Sequence, residues 1–265
     1  MSFTVIIPAR YESSRLPGKP LMDINGHPMI AWTWMQAKNA GAERVVIATE
    51  SARVKAACEG FGAEVCLTSD QHQSGTERIA EVVTQLGLAD DEIIVNVQGD
   101  EPMLPPTLIH QVAAALEQHP QTLMATLCEP IEEVETVFDP HAVKVIRDAE
   151  DYALNFTRAP MPWSRDTFGD DTRTLPNNWA YKRHIGLYAY RAGFVKRYVA
   201  WPECALEQVE KLEQLRVLWH GERILVLDAA CDAGVGVDTP NDLMRVRAKM
   251  ATSVFEVVRS GADDE

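Results

Sequence analysis

The chain has 265 residues, of which 46% are apolar and 24% charged, with a formal net charge of −14. That length suits one large domain or a domain with a smaller lobe, and the acidic balance opposes binding to nucleic acid or an anionic membrane surface. No apolar run approaches the roughly 18 residues of a membrane span, nothing resembles a signal peptide, and five scattered cysteines without C-x-x-C spacing fit a reducing cytoplasm.

The first predicted element is the β-branched run Thr4–Ala9, of the kind that becomes a buried parallel strand. The segment Arg10–Leu21 (Arg-Tyr-Glu-Ser-Ser-Arg-Leu-Pro-Gly-Lys-Pro-Leu) follows directly and sets Arg10, Arg15 and Lys19 on one loop at the strand end. Ligands bind at that edge in open α/β sheets, and guanidinium forks beside an ammonium suit a polyphosphate. The first half of the loop lacks glycine, so its donors must be side chains: Arg10, Ser13, Ser14, Arg15 and Lys19. Neither a dinucleotide-binding G-x-G-x-x-G nor a P-loop is present. The plain alternative is a turn carrying solvated charges.

Helical patterns at Met29–Asn39, Ala52–Gly60, Glu77–Leu86 and Pro106–Gln118 alternate with strand patterns at Arg44–Ala48, Glu64–Leu67, Glu92–Val97 and Leu123–Leu127. This alternation predicts βαβ units around a mainly parallel sheet. Ser74 and Glu77 fit a capping box in which each side chain satisfies the other's backbone donor, and Arg78 beside that helix start can also grip a base or phosphate. Val95-Asn-Val-Gln-Gly-Asp-Glu-Pro102 closes another strand, with the Gln98 amide free for a base or sugar and Asp100 offering hard oxygen to Mg²⁺. Gly99 and Asp100 can equally make only a turn.

Between about residues 131 and 190 the pattern changes to strands without intervening helices, at Ala142–Arg147, Ala153–Arg158 and His184–Tyr190, around a loop from Ala159 to Asn178. It reads as an inserted antiparallel lobe. In strand register His184, Gly186, Tyr188 and Tyr190 share one face, suited to the carboxylate and hydroxyls of an acidic sugar or simply structural. The next helical patterns include Leu206–Trp219, whose stripe of Leu206, Val209, Leu212, Leu215 and Leu218 is expected to be core. A strand at Ile224–Leu227 precedes Gly234-Val-Gly-Val-Asp238-Thr-Pro, where Thr239 is a candidate N-cap and Pro240 the first helical residue. Asp238 either serves a ligand or only stabilises that helix start. Spacing cannot show whether Asp100 and Asp238 meet. The tail after about Ala251 is expected to fray.

Eight blocks in order closely resemble the 3-deoxy-manno-octulosonate (Kdo) cytidylyltransferase family, the CMP-Kdo synthetases of lipopolysaccharide assembly. They are Ile7-Pro-Ala-Arg-Tyr-x-Ser-x-Arg-Leu-Pro-Gly-Lys-Pro-Leu21, Asp23-Ile-Asn-Gly-x-Pro-Met29, His72-Gln-Ser-Gly-Thr-Glu-Arg78, Val95-Asn-Val-Gln-Gly-Asp-Glu-Pro-Met103, Ala142-Val-Lys-Val, Arg183-His-x-Gly-x-Tyr188, Leu212-Glu-Gln-Leu-Arg-Val-Leu-Trp219 and Gly236-Val-Asp-Thr-Pro240. The resemblance implies a three-layer, nucleotide-diphospho-sugar-transferase-like α/β fold with a mainly parallel mixed sheet and a smaller inserted antiparallel dimerisation lobe. The nucleotide-binding domain would comprise residues 1–130 and 191–250, the sugar-binding and dimerisation lobe residues 131–190, and a C-terminal extension residues 251–265. The family further implies that Arg10, Ser13, Arg15 and Lys19 hold CTP phosphates. Ser74, Gly75, Arg78 and Gln98 would surround the nucleotide, and Gln98, His184, Tyr188, Glu207, Glu210 and Gln214 the sugar acid. Asp100 and Asp238 would bind Mg²⁺, in a cytoplasmic homodimer that transfers CMP from CTP to Kdo.

Overall fold

The computed structural model describes residues 1–12, 16–169 and 174–260, with side chains described as far as residue 251. Ser13, Ser14 and Arg15 of the expected clamp lie outside the described residues. In chain order the elements are β1 (Thr4–Pro8), a single 3-10 turn (Lys19–Leu21), β2 (Asp23–Ile24), β3 (His27–Pro28), α1 (Met29–Asn39), β4 (Arg44–Thr49), α2 (Ala52–Gly60), β5 (Glu64–Leu67), α3 (Gly75–Gln85) and β6 (Ile93–Asn96). They continue as α4 (Pro106–Gln118), β7 (Met124–Pro130), α5 (Val134–Phe138), β8 (Lys144–Arg147), β9 (Ala153–Thr157), β10 (Lys182–Arg191), α6 (Ala192–Val199), α7 (Ala205–Glu210), α8 (Gln214–Trp219), β11 (Ile224–Asp228) and α9 (Pro240–Ser260).

The chain divides into two compact units. The first comprises Ser2–Gly87, Asn96–His110 and Ala233–Glu265, and the second, central in sequence, Met1, Leu88–Val95 and Gln111–Asp232.

In the first unit β1 runs parallel to β4, with Thr4 opposite Arg44 and Pro8 opposite Ala48. In turn β4 runs parallel to β5. Val5, Ile6, Ile7, Val46 and Ile47 are all buried, as expected of parallel strands covered on both faces, which read as continuous apolar runs. The amphipathic α3 turns Ile79, Val82 and Val83 inward. A separate apolar cluster joins Leu16 of the post-β1 loop to Met29 of α1, Val237, and Leu243 and Val246 of α9. Helix α9 runs to Ser260, beyond Ala251, after which the terminal tail was expected to fray.

In the central unit β7 pairs with β11 in parallel and with β10 antiparallel. The antiparallel hairpin β8–β9 joins β10 through Arg183 opposite Lys144, and Tyr152 bridges back to Leu225 of β11. Phe156 of β9 and Ile185 of β10 are buried. Two sequence expectations fail here. Residues 134–138 form the short helix α5 in a stretch read as having only strands. The single helix expected over Leu206–Trp219 is two helices, because Lys211 adopts a left-handed conformation (φ 53°) at the end of α7. Leu212 and Leu215 then reach the core, whereas Leu206 and Val209 are 47% and 83% exposed. A left-handed residue redirects the chain, so one apolar stripe cannot continue through it.

Candidate active site

A cleft of about 420 Å³ opens in the first unit at the carboxyl end of β1. Pro8, Ala9 and Arg10 enter it from β1, Lys19 and Pro20 from the 3-10 turn, Gly75 from the start of α3, and Gln98, Gly99 and Asp100 from the turn after β6. Asp238, directly before α9, also lines it.

The Lys19 ammonium lies 2.5 Å from Asp100 Oδ2 and 3.3 Å from Asp238 Oδ1, and Lys19 is only 8% exposed. Two carboxylates remote in sequence thus converge on one cation. Backbone packing brings them there: Val237 N–H donates to Asp100 O (2.9 Å), and Gly234 takes a positive φ (78°). A Cβ at Gly234 would stand 2.7 Å from Met103 O, so no larger residue permits this approach. The helix cap is not made by Asp238. Asp242 N–H donates to Thr239 Oγ1 (3.2 Å), and Asp242 accepts from Thr239 N–H (2.9 Å), which leaves the Asp238 carboxylate directed at Lys19.

Arg10 donates to His72 O at 2.6 Å, fixing it against the loop before α3. Ser74 caps α3 by accepting from Glu77 N–H at 3.1 Å. The reciprocal half of the expected capping box is displaced by one residue, since Glu77 accepts from Gln73 N–H (2.7 Å) rather than from Ser74. Gln98 donates to Asn96 Oδ1 (3.1 Å) and keeps its amide over Gly75. Arg78 does not line the cleft: it is 1% exposed, 2.9 Å from Glu50 and bonded to Thr68 Oγ1. Burial pulls its guanidinium pKa down, opposed by Glu50.

Of the residues expected around a sugar acid, Gln98 lines the cleft of the first unit, whereas His184, Tyr188, Glu207, Glu210 and Gln214 lie in the central unit. His184, Tyr188 and Tyr190 do share one face, with ring centroids 5.3 and 5.8 Å apart in succession. Gly186 falls in an irregularity of β10 between Ile185 and Tyr188. His184 packs against Phe156, and its Nε2 lies 3.0 Å from Thr126 Oγ1. Burial, with Arg183 nearby, lowers its pKa to about 3, so the imidazole is neutral at physiological pH. Glu207 is buried in a bidentate pair with Arg216 (2.6 and 2.7 Å). Glu210 accepts from Thr157 Oγ1 (2.6 Å) and Arg158 N–H (2.9 Å), and Gln214 is buried at the start of α8.

The family model described as "Cytidylyltransferase" matches residues 4–224. The 3-deoxy-manno-octulosonate cytidylyltransferase 1 of Hydrogenovibrio crunogenus is 80% identical across 95% of this chain and 97% of its own length. The chain belongs to the 3-deoxy-manno-octulosonate cytidylyltransferase family. A second member, from Pseudomonas fluorescens, is 58% identical across 93% of this chain and 97% of its own. A solved CMP:2-keto-3-deoxy-manno-octonic acid synthetase, described as complexed with CTP, superposes with a TM-score of 0.87 at 40% identity, covering 95% of this chain and 99% of that one.

For this cytidylyltransferase the mixed α/β architecture expected from sequence is the one observed. Sequence reasoning missed the structural engagement of Glu207 and Arg78. The only local signal was Glu207 standing three residues after Cys204, whose Sγ and backbone N–H complete a capping box with it. Glu12, a carboxylate lining the cleft, was likewise passed over amid the loop's cations.

Proposed function

We propose that this chain transfers CMP from CTP to the anomeric hydroxyl of Kdo, releasing pyrophosphate, in an Mg²⁺-dependent reaction that serves lipopolysaccharide biosynthesis in the cytoplasm. The observation that carries the reading is the convergence of Lys19, Asp100 and Asp238 in the cleft of a chain 80% identical to a curated Kdo cytidylyltransferase.

Among the described residues no group of three or more His, Cys, Asp or Glu side chains is arranged around a metal ion. Two converging carboxylates nonetheless fit Mg²⁺, which commonly takes one or two protein carboxylates and completes its shell with phosphate oxygens and water. Asp100 and Asp238 would hold it. Bound there, the ion would neutralise nucleotide phosphate charge and lower the pKa of the sugar hydroxyl.

The protein's own contribution is positioning and charge. Arg10 and Lys19 bind the phosphates, and Lys19 can exchange its carboxylate partners for phosphate oxygens without leaving the cleft. The α3 N-terminus at Gly75 presents the positive end of the helix dipole, and Gln98 offers an amide to base or sugar. As the Kdo C2 hydroxyl gives up its proton to solvent and its oxygen bonds to the α-phosphorus, the bond to the pyrophosphate oxygen breaks, and the cations take up charge on the departing group. Neutral His184 contributes a hydrogen-bonding edge, with no positive charge, to the sugar acid.

The test is pyrophosphate release with CTP plus Kdo, with and without Mg²⁺, alongside an 8-amino analogue of Kdo and sialic acid. Turnover that requires Kdo and Mg²⁺ supports the reading. Turnover on another sugar acid alone reassigns the acceptor, and CTP binding without any turnover overturns the activity.

A further inference from the structure

Two of the cations expected at the phosphates, Arg10 and Lys19, bracket a loop whose ends meet at Tyr11 and Gly18. Gly18 N–H donates to Tyr11 O (3.0 Å), and Gly18 takes a positive φ (70°) that turns the chain into the Lys19–Leu21 turn. The Tyr11 ring lies against Gly18, about 3.4 Å from where a Cβ would stand. Arg10 precedes this closure and Lys19 follows it, so Tyr11 and Gly18 stand at the junctions with both cations.

Tyr11 is gripped from outside the loop by the corner that joins β4 to α2. Glu50 Oε1 accepts from Tyr11 N–H (2.9 Å), while the other carboxylate oxygen faces buried Arg78. Arg53, in the first turn of α2, donates to Tyr11 Oη (2.7 Å) with its guanidinium carbon 5.3 Å from the ring centroid. Neither Glu50 nor Arg53 lines the cleft. A hydroxyl bond, a cation over the ring and a backbone bond to a part-buried carboxylate therefore act on one residue from one rigid corner.

We infer that Tyr11 is a positioning residue for the phosphate-binding cations, held in place by Glu50 and Arg53. The inference rests on the proposed role of Arg10 and Lys19 at the CTP phosphates. By holding the loop stem closed before nucleotide arrives, the Tyr11 anchor lowers the ordering cost of binding. Its effect belongs to CTP affinity and not to the sugar acid.

The test uses the full chain with Tyr11→Phe, Arg53→Met and the double variant, measuring CTP affinity calorimetrically, KM for each substrate, and thermal unfolding. Tyr11→Phe changes no charge, so loss of affinity there is not a field effect. Each single variant is expected to weaken CTP binding about fivefold, the worth of one net hydrogen bond. The double variant is expected to be no weaker than the singles, with unchanged KM for the sugar acid and an unfolding midpoint within about 2 °C of wild type. Wild-type affinity in both singles, or losses that multiply in the double, would overturn the inference. Absence of CTP binding in the wild type itself would instead defeat the proposed function.

Discussion

Lys19 shows how one side chain can hold two carboxylates at the same site. A nearly buried ammonium alone would be costly, and two carboxylates facing each other would repel. Together, with Lys19 2.5 Å from Asp100 and 3.3 Å from Asp238, they compensate one another. Asp100→Asn keeps the shape and removes one charge from the proposed metal-binding pair. By analogy with loss of one preorganised charge-stabilising group, its kcat for pyrophosphate release should fall at least about 10²-fold; near-normal turnover would take Asp100 out of the metal role. His184 carries a pH prediction. Folding lowers its pKa from 6.5 to about 3. As pH falls the unfolded chain takes up the proton first, so this residue subtracts stability progressively from about pH 6.5 down to about pH 3, and nothing above. His184→Gln should flatten that part of the unfolding midpoint's pH dependence, read by thermal denaturation. A slope identical to wild type would contradict the neutral imidazole.

Among the elements, α7 and α8 separate what periodicity reveals from what it hides. Their apolar spacing is helical throughout, yet Lys211 at φ 53° breaks the run, and Lys211 N–H closes α7 onto Glu207 O at 2.7 Å. Nothing in the spacing announces a lysine in the left-handed region, because tertiary contacts and not local preference place it there. Those contacts include the Glu207–Arg216 pair across the break, with Arg216 also 4.6 Å over the Tyr198 ring. Glu207→Gln leaves a buried guanidinium without its counter-charge, and breaking such a pair typically costs about 3–5 kcal/mol. A drop of that order in chemical denaturation is expected, and a folded, wild-type-stable variant impaired only in sugar KM would instead place Glu207 at the substrate. The start of α9 is the opposite case. Thr239, Pro240 and Asp242 are neighbours in the chain and form the cap their order predicts.

For the molecule as a whole, the expected homodimer remains a proposal with a direct check. Light scattering on the eluting protein should return twice the 29.5 kDa chain mass, and a monomer at micromolar concentration would refute it. No described helix is long and apolar enough to cross a membrane, matching the hydropathy of the sequence. What the sequence by itself determined was whatever local order encodes: the buried parallel strands, α1, α2 and α4 to the residue, the Thr239 cap of α9, and the ordered motif blocks that mark the family. Only the tertiary structure decided that Asp100 and Asp238 share Lys19, that the buried side chains of Arg78 and Glu207 are engaged in ion pairs, and that Tyr11 is held by the β4–α2 corner. The physical reason is common to all three. Periodicity and capping act between residues a few positions apart, whereas charge pairing and close backbone approach depend on distance in space, which folding alone sets.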